Sequence, residues 1–133
     1  MAHRVTPWNG IAQTLKQLSS FLPGREDSSE EAQLYYRRAC LAATEERYDV
    51  ALIFCGKALE LDPSHLPTRL LSAQIYDWGL HESDSAVNGY RKVIALAGYD
   101  GTNPYCAAAR EALDQIVSAL AANASAQALG ARR

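Results

Sequence analysis

The sequence predicts an all-α fold: antiparallel helix hairpins stacked as a helix-pair solenoid, with one extra helix before them and a closing helix after. Three observations carry this. Val, Ile and aromatic residues nowhere alternate with polar ones over a strand's length, and no Asn-Gly or Asp-Gly pair separates two strand patterns. Apolar residues recur instead at three- and four-residue steps, in segments of helical length cut by Pro and Gly. The segments also repeat. Ala39 and Ala73 lie 34 residues apart, Ala51 and Ala86 35 apart, a period that marks stacked helix pairs.

Each element has a local reason. A first helix is expected over about Pro7–Leu22, because Pro7 suits an early helical position whose N–H has no partner. Trp8, Ile11, Leu15, Leu18 and Leu22 then form one apolar stripe. Pro23–Gly24 ends it, and a charged linker follows from Arg25 to Glu31. Ser28 with Glu31 three residues later is a capping-box start for a helix to about Thr44, broken around Glu46–Arg47. The next helix, Asp49–Leu61, stops at Asp62–Pro63, since Pro63 has no N–H and pushes Asp62 out of helical geometry. Ser64 is expected to cap a helix reaching about Trp78, which Gly79–Leu80 breaks. Ser83 or Asp84 starts another, fading at Ala97–Gly98. Asn103–Pro104 then reads as cap and first turn of a last helix to about Leu120. In domain terms, residues 1–27 are a helix with its linker, and 28–120 form the repeat domain. Its repeats run at about 32–65 and 66–100, with a capping helix at about 103–120. Residues 121–133 are an Ala-rich tail that could extend the helix but is expected rather to fray.

The totals narrow the function. The 133 residues suit one domain, with 48% hydrophobic residues, 21% charged and a net charge of −2, the composition of a soluble globular chain. That balance argues against nucleic acid, which needs a basic stripe. No apolar run approaches the ~20 residues of a membrane span. Three cysteines, Cys40, Cys55 and Cys106, form no metal-spaced pair and suit a reduced compartment. A cytoplasmic setting is expected. An organelle matrix is the alternative if residues 1–25, which lack Asp and Glu, are a presequence.

With its helices laid in register, the chain resembles the tetratricopeptide repeat family, whose pattern is W-x2-L-G-x2-Y…A-x3-F…P. In the first repeat Tyr35, Ala39, Ala51, Cys55, Ala58 and Pro63 occupy the pattern's sites; in the second Ala73, Tyr76, Ala86 and Tyr90 do, with one extra residue in the turn. Tyr105, Ala108, Ala109 and Ala112 begin a third repeat that has no second helix and so reads as a closing helix. Arg38 and Ser72 stand where Leu is usual, Arg69 where Trp is, and Gly98 where a second Pro would be. An unpaired buried charge at Arg38 would be costly, so that site should be partly open. The resemblance covers roughly residues 29 to 120 and implies a right-handed solenoid. Its first helices would line a concave surface that binds a peptide or helix.

No catalytic motif is present: there is no Gly-rich phosphate loop, G-x-S-x-G, H-E-x-x-H or C-x-x-C. His3, His65 and His81 are spread apart and read as solvated. Cys55 reads as a small core residue, while Cys40 and Cys106 are placed toward the groove. The chain is therefore expected not to be an enzyme, and neither cofactor nor metal is implied.

The resemblance puts Gln33, Tyr36, Arg37, Cys40, Leu70, Gln74, Asp77, Cys106 and Arg110 on the concave face. Tyr36 and Leu70 would be apolar anchors, with Gln33, Gln74 and Arg110 orienting a ligand; the alternative is that Tyr36 and Leu70 pack within the domain or beneath the N-terminal helix. The family members that grip the C-terminal carboxylate of heat-shock chaperones use Lys, Arg and Asn at sites held here by Tyr36, Cys40, Leu71, Asn103 and Ala107, so that role is not expected. The expected function is an adaptor, or an assembly or secretion chaperone. The Trp8–Leu22 stripe is expected to cap the open end of the repeats or to pair with a copy of itself, and the alternative function is a structural subunit of a larger complex docked through it. An RNA-binding array of related repeats is disfavoured by charge.

Overall fold

Turn chemistry sets the helix boundaries in the computed structural model, which describes residues 27–131, with side chains from Glu30 to Gly130. The expected helix over Pro7–Leu22, its Trp8–Leu22 stripe, the presequence and the Ser28 side chain of the capping box lie outside the described residues. The described chain is all-helical: α1 Asp27–Thr44, α2 Tyr48–Leu61, α3 Leu66–Gln74, α4 Ser83–Leu96 and α5 Pro104–Ala131, with one π-helical turn, Ile75–Gly79, continuing α3.

Helix α1 ends in a Schellman motif: Glu46 takes φ 61°, its N–H donates to the Ala43 carbonyl, and Arg47 N–H donates to that of Ala42. Helix α4 ends the same way. Gly98 has φ 69°, with Gly98 N–H on Ala95 and Tyr99 N–H on Ile94. This explains Gly98 at a site where Pro is usual, because only a left-handed residue closes the motif and Gly does so without strain. At the end of α2, Asp62 is extended (φ −140°, ψ 91°) before Pro63. Ser64 does not cap α3. Its N–H and hydroxyl both donate to Asp62 Oδ1, and His65 takes the N-cap position with Pro67 in the first turn. Asn103 does cap α5, its Oδ1 accepting from the N–H groups of Tyr105 and Cys106.

A 35-residue correspondence is visible in the backbone. Helices α2 and α4 are each 14 residues long, start 35 residues apart, and follow left-handed residues, Glu46 (φ 61°) and His81 (φ 56°), also 35 apart. The one-residue excess over the 34 separating Ala39 and Ala73 is absorbed by the π turn, where Leu80 N–H reaches back five residues to Ile75. The sequence placed it in the turn proper; it lies in the helix just before.

Each helix packs on its successor, and α1 also touches α3, as α3 touches α5. Two apolar clusters result. One joins α1 and α2 through Tyr36, Ala39, Ala42, Ala43, Ala51 and Cys55, with Leu71 and Ile75 entering from α3 and its π turn. The other joins α3, α4 and α5 around Tyr90, Leu70, Val93, Tyr105, Cys106 and Ile116. Ala39, Ala51, Ala73 and Ala86 are all 1% exposed or less, so the small residues of the pattern sit where helices meet. Arg38 is exposed, as the cost of burying its charge requires, with its guanidinium carbon 5.8 Å from the Tyr35 ring centroid.

Two glycines report on this packing. A Cβ on Gly89 would lie 2.7 Å from Ala73 Cβ and 3.2 Å from its Cα, whereas one on Gly56 would meet nothing within 4 Å. Gly56→Ala is expected to stabilise by about 0.5–1 kcal/mol through backbone entropy. Gly89→Ala should instead destabilise by about 1–2 kcal/mol, overpacking outweighing the same entropic gain. Urea titration of both variants checks the opposite signs.

Helix α5 departs from expectation. It continues to Ala131 rather than fraying after Leu120. Its far half is mostly Ala, the strongest helix former, and contains no charge from Gln115 to Ala131. Residues 117–130 are exposed, so propensity rather than packing sustains that half.

Candidate functional site

The face expected to bind is shared by α1, α3 and α5, and the structure divides its nine residues into core and surface. Tyr36 is 4% exposed and Leu70 9%, and each belongs to an apolar cluster. Cys106 is fully buried. As placed here, none of the three offers a side chain to a ligand. The physical reason lies in the neighbouring alanines. With Ala32, Ala39 and Ala43 all at 0%, α1 comes close to its neighbours, and the adjacent large side chains fill the seams. Asp77 is also buried and accepts a hydrogen bond from the Tyr90 hydroxyl at 3.0 Å. Gln33, Cys40 and Gln74 are half-buried, and Arg37 and Arg110 are exposed. Arg110 donates to the Tyr99 carbonyl at 3.1 Å, which holds it near the start of α5.

His65 is a correction to the sequence reading. It is 7% exposed rather than solvated. Its Nδ1 lies 2.7 Å from Thr68 Oγ1 and its Nε2 3.1 Å from Gln33 Oε1. The Tyr36 ring meets the imidazole edge-on at 5.6 Å, and Cys40 lies close to the Tyr36 hydroxyl. Gln33, Tyr36, Cys40, His65 and Thr68 thus form a polar seam joining the first pair to the start of α3. The sequence does hold one sign of it: His65 and Thr68, three residues apart, share one face of the first helical turn. His81 is exposed as expected.

The thiols are quiet. Burial pushes Cys40 up to about 11 and Cys55 up to about 12, while burial and the nearby Cys40 raise the Tyr36 hydroxyl. Burial also pushes Tyr105 up to about 12. All four groups are neutral in the native protein where the unfolded chain already ionises, so the unfolded state binds fewer protons. Stability is therefore expected to fall as pH rises from about 9 through about 12. Urea midpoints at pH 8, 9.5 and 10.5 test this. A flat profile would mean that the thiols and phenols are not buried as described.

Among the described residues no cluster of three or more His, Cys, Asp or Glu could hold a metal ion, and no helix is long and apolar enough to cross a membrane.

Beyond the exposed far half of α5, apolar side chains are exposed on the first hairpin: Leu34 and Leu41 of α1 and Ile53 of α2 are 47%, 61% and 58% exposed. A depression of about 260 Å³ between the two helices is lined by Arg38, Leu41, Ala42, Glu45, Arg47, Val50 and Phe54. The Tyr35 ring stacks on Phe54 at 6.3 Å.

Comparison of the chain with protein-family models, with curated proteins and with solved structures finds no match.

Proposed function

We propose that this chain is a non-catalytic protein–protein interaction module of the tetratricopeptide-repeat kind. It would act as an adaptor, or as an assembly or secretion chaperone, and take a peptide or helix of a protein partner on the face shared by α1, α3 and α5. The observation that carries this reading is the 35-residue correspondence of α2 with α4 and of the turns before them. The second-neighbour contacts α1–α3 and α3–α5 agree with it. Elements repeated and stacked in this way leave one row of helices along a continuous face, which suits an extended ligand. The buried state of Tyr36 and Leu70 moves the reading from apolar anchoring to polar recognition by Arg37, Gln74 and Arg110, with Gln33 held by His65. In this reading the chain uses no cofactor and no nucleic acid, and works in the cytoplasm, or in an organelle matrix if residues 1–25 are removed.

The test uses an Arg37→Glu/Gln74→Ala/Arg110→Glu variant, whose changes avoid the core. A partner captured from native lysate by wild type is identified and its Kd measured against both proteins. A rise of at least tenfold in Kd for the variant supports the groove; equal affinity sinks it.

A second reading, a structural subunit of a larger assembly, is favoured by the uncovered far half of α5, where Val117, Leu120 and Leu129 are exposed. Loss of the partner on Val117→Asp/Leu120→Asp, with the groove variant unaffected, would select it.

A further inference from the structure

We propose that the far half of α5 pairs with the same segment of a second copy of this chain. The face carrying Val117, Leu120, Ala124 and Ala128 would meet its equivalent antiparallel, about a two-fold axis near Ala124. The inference takes up the face named in the second reading and commits it to one occupant. It does not rest on the groove.

Continuity with the core is the first observation. In its first half α5 packs on α3 and α4, with Leu113 against the cluster and Ile116 4% exposed. Val117 and Leu120 stand about one turn further on, four residues after Leu113 and Ile116. Both are exposed, at 61% and 54%. The reason is length: α5 has 28 residues and α4 only 14, so α5 outruns the body. The face that meets other helices continues, and no helix among the described residues lies over it.

The second is matching of sizes. Val117, Leu120, Ala124, Ala128 and Ala131 follow one another at three- and four-residue steps, which makes one stripe. Turned about Ala124, an antiparallel copy sets Leu120 opposite Ala128 and Val117 opposite Ala131. Each larger side chain then faces a methyl group, so the helices can interdigitate closely. A contact of this kind uses the same patch on both copies and closes on itself. Leu129 is outside the stripe, because nine residues after Leu120 is two and a half turns, on the opposite side of the helix.

Charge is the third. No charged residue occurs from Gln115 to Ala131, so two copies meet without like-charge repulsion, and a charged partner finds no counter-charge. The direction of pairing follows from the body. Helices α3 and α4 already hold this face in the first half of α5, and a parallel copy would bring its own body to the same end. An antiparallel copy sets the two bodies at opposite ends. A contact about 21 Å long, between helices about 10 Å across, buries less than the ~800 Å² per partner of a standard stable interface. The dimer is therefore expected to be weak and to form as concentration rises.

The experiment is sedimentation velocity of the purified full chain from about 1 µM to about 1 mM. It is repeated on Val117→Asp/Leu120→Asp and, for the opposite side, on Leu129→Asp. The expected result is a monomer–dimer equilibrium whose dissociation constant rises at least about tenfold in the stripe variant and less than about twofold in Leu129→Asp. A monomer at every concentration overturns the proposal and leaves the structural-subunit reading, which needs a different protein, to its own test. A dimer that survives the stripe variant, or is weakened equally by Leu129→Asp, also overturns it. Should the stripe variant fail to fold, interchain disulfide formation under an added thiol oxidant decides, with the linked sites assigned by peptide mass. Ala124→Cys lies at the axis and should crosslink. Two copies of Ala128→Cys stand about 12 Å apart along the pair and should not. Crosslinking at both sites, or at neither, overturns the antiparallel pairing.

Discussion

Tyr90→Ala is expected to lower the unfolding free energy by about 3–5 kcal/mol, a large part of what a domain of this size possesses. Tyr90 is the largest fully buried side chain of the described body. Its ring lies in the cluster where α3, α4 and α5 meet, among Leu70, Val93, Tyr105, Cys106 and Ile116. Removing it leaves a cavity that close-packed helices fill only in part. Thirty-five residues earlier, the first pair places only Cys55 at the matching site, so the second pair depends on one ring far more than the first does. Tyr90→Phe separates the two contributions of the residue. It keeps the ring and removes the hydroxyl that donates to buried Asp77, with an expected loss of about 1–3 kcal/mol. Urea unfolding of both variants, followed by circular dichroism at neutral pH, checks the order. A loss below about 1 kcal/mol for Tyr90→Ala would mean that the ring is not the centre of this cluster.

Most of the secondary structure was legible in the sequence because its punctuation is strong. Pro63, Gly79 and Gly98 each mark a boundary, and Asn103–Pro104 marks a helix start, for backbone reasons that tertiary packing does not override. The missed features were of another kind. Ser64 is a good cap residue, but Asp62 two positions before it offers a competing acceptor and takes its hydroxyl. The far half of α5 lacks a packed face, so amphipathic pattern is silent there and alanine content alone decides. On the candidate binding face, periodicity tells which residues share a side of a helix. It does not tell whether that side meets solvent or another helix. Tyr36 and Leu70 were in the expected register, yet the close approach allowed by Ala39 and Ala73 turned them into core. His65 was harder still, because its burial depends on Gln33, 32 residues away, and no local pattern encodes that distance.

The second large effect is expected at the joint between the two helix pairs. Leu71→Ala should cost about 2–5 kcal/mol, with the loss concentrated in α1 and α2 although Leu71 lies on α3. The α1–α2 cluster contains Tyr36, four alanines and Cys55, and its only buried aliphatic side chains larger than Ala are Leu71 and Ile75, both supplied by the second pair. A hairpin whose buried side chains are mostly methyl groups, with Tyr48, Val50, Leu52 and Phe54 only partly buried, buries too little apolar surface to stand alone against the entropy of ordering its chain. Leu71 is 2% exposed and Ile75 fully buried, so truncating them removes cover from the first pair. Tyr90, Val93 and the α5 contacts are left in place. Amide hydrogen exchange reads this directly. In Leu71→Ala, and more strongly in Leu71→Ala/Ile75→Ala, the amides of α1 and α2 should lose protection while those of α4 and the first half of α5 keep most of theirs. Denaturant unfolding of the double variant should then broaden or split, as expected when the coupling between neighbouring units is cut. Equal loss of protection in every helix would show instead that the body is one cooperative core. The polar seam of Gln33, His65 and Thr68 would then carry as much of the coupling as Leu71 and Ile75 do.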